Sequence, residues 1–210
     1  MRIAVTSTHT PAYAQLAEVT TPNHLKYCER QGYDYLSMRG DHLGWPYVLP
    51  ADLGKLAEIT KFYDAVLKIE TDIVFTNLNI SVEKLIQPTD RIVIAREPAG
   101  RAVLNVGSMI FCDSLGEASE LLWKIANDCD KWIERSDDCY WQNYLGRLYT
   151  SNESVRSLIR LVDPRVLNST DQTGDAEWTW QPGDFVCHCG GGLVDTRISR
   201  CLEMMRRARV

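Results

Sequence analysis

The carboxylates Glu70 and Asp72 close a near-continuous apolar run, Ala65-Val66-Leu67-Lys68-Ile69. Such a run predicts a buried central strand. On an extended segment, residues i and i+2 share a side, so both acids can face one ion. Carboxylates suit Mg²⁺ or Mn²⁺, hard cations that also accept phosphate oxygens in their shell. Acid-x-acid pairs mark ordinary solvated turns as well, so the pair alone decides nothing. A distant histidine adds to it. His188 ends the stretch Asp184-Phe185-Val186-Cys187 and is followed by Gly190-Gly191-Gly192. A histidine at the end of a strand is commonly a satisfied core residue. The glycines shift that balance, because they let a backbone approach a ligand and their amides can cradle an anion. An imidazole beside such a loop, with two acids elsewhere, would serve a metal-bound diphosphate.

Further groups could handle a polar substrate. Asn105-Val106-Gly107-Ser108 leads into an apolar stretch and offers donors and acceptors for hydroxyls. Its plain reading is a turn before a strand. Asp137-Asp138-Cys139-Tyr140-Trp141-Gln142 could simply cap a helix. It could also set Asp138 or Gln142 beside a sugar, with Tyr140 or Trp141 as a stacking surface. The seven cysteines are odd in number and form no CxxC pair. Cys187-His188-Cys189 resembles a ligand cluster, but strand residues alternate sides, so the three cannot converge on one zinc. Reduced thiols are the expectation.

The elements that must position these groups follow a β-α-β rhythm. Ile3 to Thr6 reads as a strand ending in Ser7-Thr8-His9-Thr10. Residues 12–31 read as helical, with Tyr13, Leu16, Ala17, Leu25 and Cys28 inward. Pro22 is expected to start a new turn, capped by Thr20 or Thr21. Gly32 is placed to end the helix before a strand at Tyr33–Leu36. Residues 52–63 read as a helix burying Leu53, Leu56, Ile59 and Phe62. Strands follow at residues 65–69, 92–95 and 109–111, helices at 116–128 and 139–149. A turn-rich stretch leads to a last short strand ending at His188, and a basic helix closes the chain. This pattern predicts an α/β fold, one domain over residues 1–210, with a mostly parallel central sheet flanked by helices.

Bulk properties narrow the partners. A chain of 210 residues with 45% hydrophobic residues can bury one sizeable core. The formal net charge of −5 disfavours sequence-independent binding to nucleic-acid phosphates. No apolar run reaches the roughly 20 residues that span a bilayer, and the N-terminal run is too short for a signal peptide. A cytoplasmic protein is the expectation.

Taken in order, these pieces resemble the galactosyl/mannosyl-transferase family of yeast Golgi α-mannosyltransferases and plant xyloglucan xylosyltransferases. More widely they resemble nucleotide-diphospho-sugar transferases of the GT-A type. Asn23-His24-Leu25-Lys26-Tyr27-Cys28-Glu29-Arg30-Gln31-Gly32-Tyr33 is similar to the family's Asn…Tyr-Cys…His-Gly-Tyr segment. Lys55 stands at the place of a family lysine. Ile69 to Asn77 is similar to its Asp-x-Asp motif with a trailing Asn, Asn105 to Ser108 to Asn-Thr-Gly-Ser, and Asp137 to Leu145 to an acidic segment with a Gln. Pro182 to Gly190 is similar to Gly-Asp-Phe…His-Phe-Gly. Glu70 departs from the family's aspartate, and the anchor and stem of the eukaryotic members are not found, which points to an enzyme of bacterial or viral type.

The resemblance implies a retaining, metal-dependent glycosyltransferase that takes a hexose or pentose from a nucleotide sugar, with UDP the expected nucleotide. It implies Mn²⁺ or Mg²⁺ held by Asp72, Glu70 and His188. Thr6, Ser7 and Thr8 would lie against the nucleoside, with Lys55 and Gly190 also on the donor. Asn105, Gly107 and Ser108 would hold the sugar, and Gln142 or Asp138 would support the transition state. The acceptor is left open among a glycan, lipid-linked sugar, protein, small molecule or modified nucleobase, as is the oligomeric state. Two other readings compete: a sugar nucleotidyltransferase, which would carry a Gly-rich basic signature where Ser7-Thr8-His9-Thr10-Pro11 stands, and a binding module of the same fold that has lost activity.

Overall fold

The apolar runs and amphipathic stretches assemble into a central sheet with helices on both faces. The computed structural model describes residues 1–39, 48–97, 103–113, 115–133, 140–171 and 177–210. Ile3–His9 forms β1, and a 3-10 turn at Pro11–Tyr13 opens onto α1, Ala14–Gln31. Gly32 caps α1 at φ 73°, a left-handed conformation that glycine adopts without strain. β2 (Asp34–Arg39), α2 (Val48–Thr60), β3 (Ala65–Glu70) and β4 (Ile73–Phe75) follow. Next come β5 (Ile92–Arg96), β6 (Leu104–Phe111), α3 (Glu117–Asn127), α4 (Asp130–Ile133) and α5 (Tyr140–Ser151). The chain ends through α6 (Glu153–Leu158), β7 (Ile159–Val162), α7 (Pro164–Leu167), β8 (Val186–His188) and α8 (Val194–Ala208).

The main sheet has the order β2-β1-β3-β6-β5-β7. It is mostly parallel, and β6 alone runs against its neighbours β3 and β5. Alternation along each strand divides the interior into two cores. Ala4, Val66, Met109 and Phe111 pack with Leu53, Leu121, Trp132 and Trp141 from α2 to α5. Ile3, Val5, Leu67, Ile69 and Ile110 pack on the other face with Tyr27, Phe75 and Phe185. β4 and β8 form a separate antiparallel ribbon, with Ile73 opposite His188.

Several expectations need correction. α1 runs unbroken through Pro22, and the Thr20 hydroxyl donates back to the Leu16 carbonyl at 3.1 Å instead of capping a new helix. Burial of Asn23, His24 and Tyr27 on one face explains why the helix tolerates a proline there. Leu25 is exposed on the other face, and Phe62 lies exposed beyond the end of α2. Asn105 to Ser108 lies inside β6, not in a turn before it. β7 and its flanking helices occupy part of the stretch read as turns.

Candidate metal centre and active site

The β4–β8 ribbon builds the site. β3 ends at Glu70, and a short turn carries Thr71 and Asp72 into β4. The Thr71 hydroxyl donates to the Thr8 carbonyl at 2.7 Å, pinning the turn to the end of β1. The Cys189 amide donates to the Asp72 carbonyl at 2.9 Å, so the backbones of the acidic turn and of β8 are locked together. Cys187 and Cys189 point into a buried cluster with Cys201, as alternation required, and His188 points the other way.

His188 Nε2 lies 3.3 Å from Asp72 Oδ1 and 3.5 Å from Glu70 Oε2. One ligand atom from each of the three lies within 4.8 Å of the others, the only such group among the described residues. Asp72 is 3% exposed, whereas the Glu70 side chain is 41% exposed and forms the open edge. The second Asp72 oxygen, Oδ2, accepts from Arg197 Nη1 at 2.8 Å. Burial works against ionisation of Asp72, but the facing His188 ring and Arg197 hold its carboxyl below the usual range. Burial works against a charged His188 too, and the facing Asp72 and Glu70 outweigh it and raise its pKa. The two acids and the ring thus face one another across the space that one cation would fill.

The donor set fits a divalent ion. Two carboxylates and an imidazole suit Mn²⁺, and Mg²⁺ with substrate phosphates and water completing its shell. The surrounding backbone fits as well. A Cβ on Gly190 would sit 2.7 Å from His188 Nε2, and one on Gly107 would sit 2.9 Å from Cε1. Both positions therefore need glycine for the ring to hold its place. Gly191 and Gly192, at φ 82° and 77°, turn the chain from β8 toward α8.

The structure brings some of the sequence-predicted residues to this site and leaves others apart. Glu70, Asp72, His188, Gly107 and Gly190 converge, with Thr8 at the neighbouring strand end. Asn105 is tied down, its Nδ2 donating to Glu97 and its Oδ1 accepting from Gly107. Gln142 Oε1 accepts from the Val106 amide at 3.0 Å, bracing β6. Thr6 and Ser7 are buried within β1. Ser108 pairs with Ile69 and is buried on the face opposite Gly107. Lys55 lies exposed on α2, along an apolar groove with Met38 and Trp123. Asp138 lies outside the described residues, as does the Tyr140 side chain.

Residues not read from the sequence complete the surroundings. Lys68, half-sheltered on the Glu70 side of β3, donates to the Val106 carbonyl at 2.7 Å and reaches Glu70 at 3.5 Å. Arg197 and Asn168 touch Asp72 and His188. An Arg in a basic helix and an Asn in a polar stretch carry no local signature. The Asp of the Gly-Asp-Phe segment proves structural. Asp184 accepts from Arg165 at 2.8 Å, from the Ser169 hydroxyl at 2.8 Å and from the Gln181 amide at 2.9 Å. It thereby orders the approach to β8.

The chain shares its fold with solved glycosyltransferases of the GT-A type, which align along nearly all of it. One is a glycosyltransferase involved in glycosylation of the major capsid of PBCV-1, at a TM-score of 0.73 and 17% identity, covering 97% of this chain and 100% of that one. Another is the galactosyltransferase LgtC, crystallised with donor and acceptor sugar analogs, at a TM-score of 0.57 and 12% identity over 98% and 95% of the two chains. The glycosyltransferase GlyE of Streptococcus pneumoniae TIGR4 aligns at a TM-score of 0.54 and 14% identity, covering 79% of this chain and 46% of GlyE, about half that protein's length. No family model and no curated protein sequence matches the chain.

Proposed function

We propose that the protein is a metal-dependent glycosyltransferase that moves a hexose or pentose from a UDP-sugar to an acceptor hydroxyl with retention of configuration. The observation that carries this reading is the convergence of Glu70, Asp72 and His188 at the carboxyl end of β3, in a fold shared with glycosyltransferases. Ligands of open α/β sheets bind at that end.

Asp72 and His188 would hold Mn²⁺ or Mg²⁺, with Glu70 as the third ligand on the open side. A bound ion would supply Lewis-acid stabilisation of the departing diphosphate. The chain's own groups do the rest. Arg197 holds Asp72 in one orientation and adds a positive charge beside the leaving group. Amides of Gly191 and Gly192, in the loop that Gly190 opens, would offer donors to diphosphate oxygens, where charge develops in the transition state. Thr6, Ser7 and Thr8 would lie against the nucleoside. Asn105 and Gln142 would face the sugar, and Asp138 would complete that side. Retention rests on the resemblance to retaining families, with the acceptor proton passing to the leaving phosphate.

The test is acceptor-independent. Nucleotide sugars are incubated with the protein, with and without Mn²⁺, and released nucleoside diphosphate and the anomer of the freed sugar are measured. Mn²⁺-dependent UDP release with the donor's anomeric configuration kept is the expected result. Tight nucleotide binding with no release from any donor, even with acceptor mixtures present, would favour the inactive binding module instead. Inversion would overturn the stereochemical assignment alone.

A further inference from the structure

We propose that Asn168 is a positioning residue for the cation site, fixing which nitrogen of His188 faces the two acids. This rests on the metal reading given above. Asn168 follows α7 and is fully buried. Its Oδ1 lies 3.0 Å from His188 Nδ1, while Nε2 of the same ring faces Asp72 and Glu70. An imidazole that ligates through Nε2 must carry its proton on Nδ1, and that N–H needs an acceptor. A carboxamide oxygen at that distance is such an acceptor, and partners of this kind orient a ligating ring and raise its basicity.

The opposite amide orientation fails the same test. It would present an N–H to Nδ1, force that nitrogen to accept, and move the ring proton to Nε2. An N–H would then point at the acids, where no cation could be held. The chosen orientation leaves Asn168 Nδ2 buried without a hydrogen-bond partner among the described residues. Orphaned buried donors are rare, and this one is the cost of turning the oxygen to the ring.

The seat is rigid on every side. The His188 amide donates to the Ser169 carbonyl at 2.7 Å, so the residue after Asn168 is laddered directly to β8. Gly107 and Gly190 lie flush against the ring. Asn168 thus closes the one edge of the imidazole that the glycines and acids leave.

Mn²⁺ alone is the probe, with free ion followed by electron paramagnetic resonance, for the wild type, Asn168→Leu, Asn168→Ala and Asn168→Asp. Leu keeps the volume and removes the acceptor, Ala removes it without a clash, and Asp keeps an acceptor oxygen. Melting without metal shows which variants fold. Leu and Ala are expected to weaken Mn²⁺ binding by about 10- to 100-fold, and Asp to restore it to within about threefold of wild type. Wild-type affinity in a folded Leu or Ala variant would overturn the inference. So would a loss in Asp as large as in Ala, which would leave Asn168 a packing residue. If the wild type holds Mn²⁺ no better than Asp72→Ala does, the metal reading itself falls, and this inference with it.

Discussion

Asp72 is constrained from every side: its backbone carbonyl by Cys189, one carboxylate oxygen by Arg197, and the other by His188. Asp72→Asn keeps the shape and removes the charge. It is expected to lower UDP-sugar turnover by at least about 100-fold, as loss of a group that stabilises transition-state charge does, with circular dichroism unchanged; turnover within tenfold of wild type would remove Asp72 from the metal site. Gly190→Ala tests the ring's seat instead of its charge. The new methyl would meet His188 Nε2 at 2.7 Å, far inside contact distance. Mn²⁺ binding should be lost in a protein that still melts cooperatively, and normal Mn²⁺ affinity would show that the ring can move aside. The two acids and the histidine were legible because chemistry of that kind leaves a local mark: an acid pair ending an apolar run, and glycines after a histidine. Arg197 and Asn168 were not. Each reaches the site through the fold, from a helix face and a loop, and no neighbour in sequence betrays it. Lys68 was passed over although it stands two residues before Glu70, on the same side of the strand.

Elements explain how the ribbon is held against the sheet. Asn23 of α1 donates to the Phe75 carbonyl at 3.0 Å and accepts from the Phe75 amide at 2.7 Å, taking the place of a strand partner for β4. Asn23→Ala would leave both buried backbone groups unpaired, at about 1–3 kcal/mol each. A loss of about 2–6 kcal/mol in urea unfolding is expected, and a loss below about 1 kcal/mol would mean that water or a shift of β4 replaces the clamp. One residue on, His24 is wholly buried, with Nε2 on the Ile73 carbonyl at 2.7 Å and Nδ1 on the Tyr35 hydroxyl. Burial lowers its pKa to about 4, against a smaller opposing pull from the Ile73 carbonyl. Between pH 6.5 and 4 the unfolded chain binds this proton and the folded chain does not, so stability must fall as pH falls through that window. His24 should account for about 3 kcal/mol of that fall. His24→Gln should flatten the wild-type slope between pH 7 and 4.5 by that amount; parallel slopes would place the proton elsewhere. The segment Asn23 to Cys28 was read as a motif, and its residues prove to be these clamps. The Pro22 break was misread because local propensity outweighed a buried face that only the tertiary structure displays. β7 was missed because an edge strand of four residues has too few positions to show alternation.

At the scale of the whole molecule, the reversed strand β6 sets Gly107 beside β3, and the β4–β8 ribbon brings residues 70 and 188 to one point. The α/β class followed from the strand and helix rhythm. The reversal of β6 did not, since direction within a sheet depends on the connection and not on the strand's own residues. No helix among the described residues is long and apolar enough to cross a membrane. The central claim is that one metal-assisted diphosphate site sits at the end of β3. The measurement that tests it most directly is thermal unfolding with UDP, other nucleoside diphosphates and UDP-sugars, each with and without Mn²⁺, for the wild type and Asp72→Asn. Ligand at about 100 times its dissociation constant adds roughly 2.7 kcal/mol of stability, a shift of about 5–10 °C for a chain of this size. The account predicts that shift with a uridine diphosphate ligand, only with metal, and only in the wild type. Equal shifts without metal or in Asp72→Asn, or none with any nucleotide, would contradict it.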